Sequence, residues 1–271
     1  MEIDLVLSGS GMLFPCHLGA YAYLLEQGVE VKRVAGTSGG SIVSAGIAHG
    51  WTVDEAMALM KVVTTKNLLD LNWTPWRGVG IHKGDLAHAI FREHLPGKMS
   101  DAEMSWGAFV VDVWKRQSQF VASDLCHAAI PTMAGFDLPT ADVIRASISI
   151  PIWFKMAMLK RRPQVDGGVK MNFGLGVWDD EPERPTVGVR FKSKVGEEKR
   201  TKGVVDNVKA IIEMFADNAN HTYVSKKRWP FIIEVESEGD SMDFSVDDDW
   251  VERRFEEGWN AAEKWWSGVN L

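Results

Sequence analysis

Of the side chains able to do covalent chemistry, Ser38 stands in the most specific setting. It lies in Gly36-Thr37-Ser38-Gly39-Gly40, the G-x-S-x-G spacing that places a serine on a sharp turn between a strand and a helix. Such a turn pushes the hydroxyl into a cleft. Gly36 and Gly40 leave room for the bent backbone and for close helix packing. The N-terminus of the following helix offers free N–H groups and a positive dipole end to developing negative charge. The chemistry this suits is attack of a serine oxygen on an acyl carbon.

Two other stretches could serve that chemistry. Ser8-Gly9-Ser10-Gly11 follows a short apolar run. Its backbone N–H groups could stabilise an oxyanion or cradle a dinucleotide phosphate. The dinucleotide spacing G-x-G-x-x-G fails, because Phe14 stands where the third glycine must let the helix approach. Asp166-Gly167-Gly168 offers a carboxylate followed by two glycines, although Asp-Gly taken alone is most often just a turn. A Ser-Asp-His triad in hydrolase order needs a histidine after the acid, and only His221 follows Asp166. His221 follows the end of an expected helix, where interaction with the helix dipole is its expected role. His17 is expected to pack against or orient the glycine-rich loop.

These residues must be positioned by regular elements, and the apolar pattern supplies them. Strands are expected at 3–7, 31–35, 109–114, 119–123, 186–191 and 231–235, with a hairpin of 154–159 and 163–165 about the basic turn Lys160-Arg161-Arg162. Helices are expected from Pro15 to about Gln27, at 41–48, 53–63, 85–95, 142–149 and 204–219, and from about Trp250 onward. In the last of these, Val251, Phe255, Trp259, Ala262, Trp266 and Val269 form one face that should dock on the core. Residues 64–83 resist assignment. Trp73 and Trp76, with Val79 and Ile81, could form an apolar flap over a binding groove. Strands and helices alternate without repeat or linker, which predicts one α/β domain over 1–271 with a mainly parallel sheet covered on both faces.

Composition narrows the function classes. The 271 residues are 45% hydrophobic and carry a net charge of −7, so nucleic acid is an unexpected partner and charge-driven docking on an anionic membrane gains no support. Cys16 and Cys126 make no metal or redox motif and no disulfide framework. No stretch is long and apolar enough to span a bilayer, and Met1-Glu2-Ile3-Asp4 lacks the basic region of a signal peptide. The expectation is a cytoplasmic protein needing no metal and no cofactor.

Together the motifs resemble those of the patatin-like phospholipases, a family of serine lipid acyl hydrolases. Leu7-Ser8-Gly9-Ser10-Gly11 is similar to the family's oxyanion loop, and Gly36 to Ser41 to its nucleophile elbow. Arg145-Ala146-Ser147-Ile148-Ser149-Ile150-Pro151 resembles the run before its second catalytic element, and Asp166-Gly167-Gly168 with Asn172 resembles that element. Weaker echoes are Ala122-Ser123-Asp124-Leu125 and Gly258-Trp259-Asn260-Ala261-Ala262. Two positions depart from the pattern. Ser10 replaces the middle glycine of the loop, and Leu13 stands where a cation is common.

The resemblance implies a three-layer α/β/α patatin-like fold and a Ser38–Asp166 dyad without histidine. Gly9, Ser10 and Gly11 would supply the oxyanion hole, while Gly36, Gly40, Gly167 and Gly168 would shape the elbow and the acid's turn. The implied substrate is a phospholipid or another acyl ester, met during transient contact with a membrane surface. Leu13 implies weak recognition of a phosphate headgroup at the loop, a role that Lys160, Arg161 and Arg162 could take over. A soluble esterase or thioesterase, or an inactive binding protein on the same fold, are the alternatives.

Overall fold

The computed structural model describes residues 1–63, 68–73, 80–124, 128–180, 184–192, 210–211, 214, 231–244 and 246–268. In chain order the strands are β1 (Glu2–Leu7), β2 (Glu30–Thr37), β3 (Ser105–Asp112), β4 (Gln117–Ala122), β5 (Thr132–Ala134), β6 (Ala157–Leu159), β7 (Arg162–Asp166), β8 (Thr186–Phe191) and β9 (Ile232–Val235). The helices are α1 (Phe14–Glu26), α2 (Gly39–Ala48), α3 (Val53–Val62), α4 (Asp85–His94), α5 (Thr140–Ser147) and α6 (Asp248–Gly268). Of the expected helix 204–219, only 210, 211 and 214 are described. Trp76, Val79, His221 and Val269 lie outside the described residues.

The strands form a mixed, mostly parallel sheet in the order β5-β4-β3-β2-β1-β8-β9. β1 pairs in parallel with β2 and β8, β2 with β3, β8 with β9 and β4 with β5. The antiparallel pairs are β3 with β4, β3 with β7, and β6 with β7. This is the expected α/β architecture with a mainly parallel sheet. β1 shows why it is buried on both sides. Ile3, Leu5 and Leu7 join a large core with the helices, while Val6 joins a second core built from Phe109, Phe120, Phe173, Leu175 and Trp178. The described part of that second face is covered by the 171–178 segment.

Two features of the sheet were hidden in the sequence. β3 begins at Ser105, four residues before the expected start, because Gly107 and Ala108 lack apolar bulk. Gly107 is required there, since a Cβ would lie 2.1 Å from the Phe120 ring. The turn of the β6–β7 hairpin is Lys160-Arg161, both at positive φ, and Arg162 belongs to the strand.

α6 docks on the core as its stripe predicts, with Val251 and Ala262 fully buried and Phe255, Trp259 and Trp266 packed partly buried beside them. It meets α1 backbone to backbone. A Cβ on Gly19 would lie 1.9 Å from the Phe255 carbonyl oxygen, and one on Gly258 would lie 1.8 Å from that of Cys16. Each helix therefore presents a glycine to the other's main chain.

Candidate active site

The sheet brings the two chemical residues together by ending two strands on one edge of β3. Thr37, the last residue of β2, pairs with Phe109. Asp166, the last residue of β7, arrives from the opposite direction and pairs with Val110. β2 and β7 both leave the sheet at this point, end to end, so Ser38 and Asp166 flank one junction although 128 residues separate them. The Ser38 hydroxyl donates to Asp166 Oδ2 at 2.6 Å. Both residues are buried.

The elbow has the geometry its glycines predict. Ser38 has φ 49° and ψ −124°, a conformation that costs a non-glycine residue about 1–3 kcal/mol. Strand and helix come close enough that a Cβ on Gly36 would lie 2.2 Å from the Gly40 carbonyl oxygen, and one on Gly40 would lie 2.4 Å from that of Ser8. The Ser38 N–H donates to Ser147 Oγ at 3.0 Å, and the Ser41 hydroxyl donates to the Ser38 carbonyl at 2.6 Å.

Asp166 is held on its far side by the Gly168 N–H, which donates to Oδ1 at 2.7 Å. Burial raises its pKa from 3.8 to about 7, outweighing the Ser38 and Gly168 hydrogen bonds that act in the other direction. A carboxylate with that proton affinity can accept a proton from serine and return it near neutral pH. Gly167 lies flush against β3, where a Cβ would come within 2.5 Å of the Phe109 carbonyl oxygen. The Asn172 carboxamide fills the space between the loop and the acid's turn. A Cβ on Gly9 would lie 2.0 Å from its Oδ1, and one on Gly168 would lie 2.9 Å away.

The glycine-rich loop corrects one expectation. The Gly9 N–H donates to the Asn172 carbonyl at 2.8 Å, so it anchors the loop instead of facing an oxyanion. The N–H groups of Ser10 and Gly11 have no acceptor among the described residues. Ser10 adopts φ −140°, so serine is tolerated at the middle position, and the left-handed residue is Gly11 at φ 52°. The loop rests on the first residue of α2, since a Cβ on Gly39 would lie 2.3 Å from Ser10 Oγ and 2.5 Å from the Gly11 carbonyl oxygen. Gly39 itself carries an N–H with no acceptor inside the helix. It is the third candidate donor, and its place directly after the nucleophile was the signal for it.

His17 is fully buried, with Nε2 2.9 Å from the Ser8 carbonyl oxygen, and burial lowers its pKa to about 4. It is neutral, and its one ring proton is given to the loop. The basic hairpin is the second correction. Arg162 pairs with Asp112 and Lys160 with Asp137, and the turn lies a strand's length from Asp166, roughly 15 Å. These side chains are not placed to meet a headgroup at Ser38. Arg145 is buried and donates to the carbonyls of Lys83, Gly84 and Lys155 and to Ser149 Oγ, tying α5 to two neighbouring segments. Of the expected flap, Trp73 is exposed and Ile81 packs partly buried against the core. Among the described residues, no group of three or more His, Cys, Asp or Glu side chains is placed to hold a metal ion. Among them too, no helix is long and apolar enough to cross a membrane.

The chain belongs to the patatin family, described as patatin-like phospholipase, which matches residues 5–177. It is 34% identical over 241 residues to protein YqhO of Bacillus subtilis (strain 168), covering 79% of this chain and 78% of that one. Protein R571 of Acanthamoeba polyphaga mimivirus is 21% identical over 198 residues, or 69% of this chain and 65% of that one. Among solved structures, VipD from Legionella pneumophila superposes with a TM-score of 0.63 at 14% identity, over 98% of this chain and 67% of that one. The type III effector protein ExoU superposes with a TM-score of 0.50 at 13% identity, over 98% of this chain and 53% of that one. These likenesses establish the fold.

Proposed function

We propose that the chain is a lipid acyl hydrolase of the phospholipase A type, cleaving carboxylic esters of glycerolipids through an acyl-serine intermediate. The observation that carries this is the 2.6 Å bond from the strained, buried Ser38 hydroxyl to Asp166, a carboxyl whose pKa burial raises to about 7. In acylation, Ser38 Oγ bonds to the carbonyl carbon as its proton passes to Asp166 Oδ2. The oxyanion is held by the N–H groups of Ser10, Gly11 and Gly39. Collapse breaks the ester C–O bond, and the departing alcohol takes the proton from Asp166. A water then gives its proton to Asp166 and attacks the acyl carbon. The tetrahedral intermediate expels Ser38, which recovers the proton, and the fatty acid leaves.

Contact with a lipid surface is part of the same proposal. Leu71, Trp73 and Ile152 are exposed by 54%, 78% and 43%. Backbone bonds from Asn72 N to Ile81 O and from Ile81 N to Ile152 O, both 2.8 Å, place their segments side by side. Exposed Lys83 and Lys155 flank them, a composition suited to apolar insertion among lipid phosphates. The short run from Ile152 back to Ser149, whose carbonyl accepts the Asp166 N–H at 3.0 Å, links this patch to the reacting centre. The protein would act from the cytoplasm as a peripheral visitor.

The deciding experiment is mass spectrometry of lipid extracts incubated with the wild type and with Ser38→Ala. Free fatty acid and lysolipid released by the wild type alone support the reading. A soluble thioester or short ester turned over while glycerolipids stay intact would move it to the esterase class. No labelling of Ser38 by a fluorophosphonate would mark an inactive binding protein.

A further inference from the structure

Ser147 is the last residue of α5 and is fully buried. A serine at a helix end usually bonds back to a carbonyl of its own last turn, and Ser149 does this, donating to the Arg145 carbonyl at 2.7 Å. Ser147 does not. Its hydroxyl donates across the core to the Phe109 carbonyl at 2.8 Å and accepts the Ser38 N–H at 3.0 Å. A hydroxyl has one proton, so giving it to Phe109 leaves the oxygen able only to accept from Ser38.

The partners mark a specific place. Phe109 is the β3 residue paired with Thr37, where the β2 ladder stops. Ser147 Oγ thus stands between a backbone donor and a backbone acceptor that adjoin the last pair of the ladder. We infer that Ser147 is a positioning residue for the nucleophile: by bridging the Ser38 N–H to the Phe109 carbonyl, it holds the elbow off the sheet at the distance that lets Ser38 reach Asp166. This rests on the hydrolase reading above. The acid is held from the same segment, because the Asp166 N–H donates to the Ser149 carbonyl at 3.0 Å. Residues 147 and 149 therefore grip the main chain of both halves of the dyad, and their spacing sets the gap between them.

Removing the hydroxyl leaves a buried N–H and a buried carbonyl facing each other across the space it occupied. They recover a bond only if the elbow settles toward β3, which draws Ser38 Oγ away from Asp166. A misplacement on the order of 1 Å costs roughly 100-fold in rate. It also weakens the Ser38 hydrogen bond that opposes the effect of burial on Asp166, so the ascending limb of the pH–rate profile moves to higher pH.

The test compares wild type, Ser147→Ala, Ser147→Thr and Ser147→Cys on a soluble short-chain ester, together with the rate of fluorophosphonate labelling at Ser38. For folded Ser147→Ala the expected result is KM within about twofold, kcat and labelling lower by roughly 10- to 100-fold, and the limb shifted upward. Ser147→Thr keeps the hydroxyl and recovers part of the rate. If the alanine variant does not fold, the cysteine variant decides. It has the same shape and a weak donor and acceptor, and it should show the same loss and the same shift. A labelled wild type with variants of equal rate and unmoved limb overturns the role of Ser147 alone. An unlabelled wild type overturns the hydrolase reading and this inference with it.

Discussion

Replacing Asp166 by asparagine should abolish turnover and at the same time make the protein more stable above neutral pH. The carboxyl is buried, and its pKa rises from 3.8 to about 7 on folding. The folded state therefore holds a proton that the unfolded chain has released across that window. The sign follows. Stability from this group is present below the unfolded value and is lost as pH rises toward 7, because the folded protein must then carry a buried negative charge. Linkage over the full rise from 3.8 to about 7 gives about 4 kcal/mol, of which about 3 kcal/mol falls between pH 5 and pH 9. Asparagine keeps the shape, can accept from the Gly168 N–H and can donate to Ser38, with no charge to bury. The wild type should lose roughly 6–12 °C of melting temperature relative to Asp166→Asn between pH 5 and pH 9. Thermal melts of both proteins across that range, read as their difference, cancel every other titrating group, His17 included. Parallel curves would refute the reasoning, since they would mean that Asp166 ionises alike in the folded and unfolded chains.

Ser38→Ala should lose ester hydrolysis by several orders of magnitude while its melting temperature stays close to wild type, checked with one soluble ester and a thermal melt. Gly258→Ala should destabilise by more than about 2 kcal/mol, because its Cβ would lie 1.8 Å from the Cys16 carbonyl oxygen with only backbone to yield; denaturant unfolding measures this. Trp73→Ala should impair hydrolysis of vesicle lipid several-fold more than hydrolysis of a soluble ester, and equal loss on both would remove Trp73 from the lipid-facing surface. Gly9→Ala should lower kcat more than KM, since a Cβ there displaces Asn172 and with it the loop, as steady-state kinetics would show.

The elbow and the acid were legible in the sequence because their demands are local. A serine on a strand-to-helix turn needs glycines at fixed offsets, and a carboxylate beside a close-packed strand needs small residues after it. The helices with clear stripes were legible for the same reason, and α6 docks with the face its pattern predicts. The roles within the oxyanion loop were not, because they depend on which N–H is already used. Gly9 spends its donor on Asn172, which is 163 residues away and has no local signature beyond the motif it ends. Ser147 was visible only as part of a motif, and its hydroxyl acts on residues 38 and 109 residues apart from it. The head-on meeting of β2 and β7 is a matter of topology. No periodicity within either strand encodes it, and the start of β3 at Ser105 was masked by Gly107 and Ala108, residues that owe their place to small size.

The glycine crossing of α1 and α6 bears on when the protein becomes competent during its synthesis. α1 carries the oxyanion loop at its N-terminal end, and its backbone is matched to a helix from which Glu257, 241 positions later, accepts a hydrogen bond from the Cys16 thiol. A ribosome adding about 5–20 residues per second needs on the order of 10–50 s to cover that distance. In the later part of that interval, once β3 and β7 have been made, the chain holds the serine elbow and its neighbouring strands while the helix bearing the loop has an uncovered flank. On the hydrolase reading proposed above this orders events: the nascent chain is held short of full competence until α6 has left the ribosome.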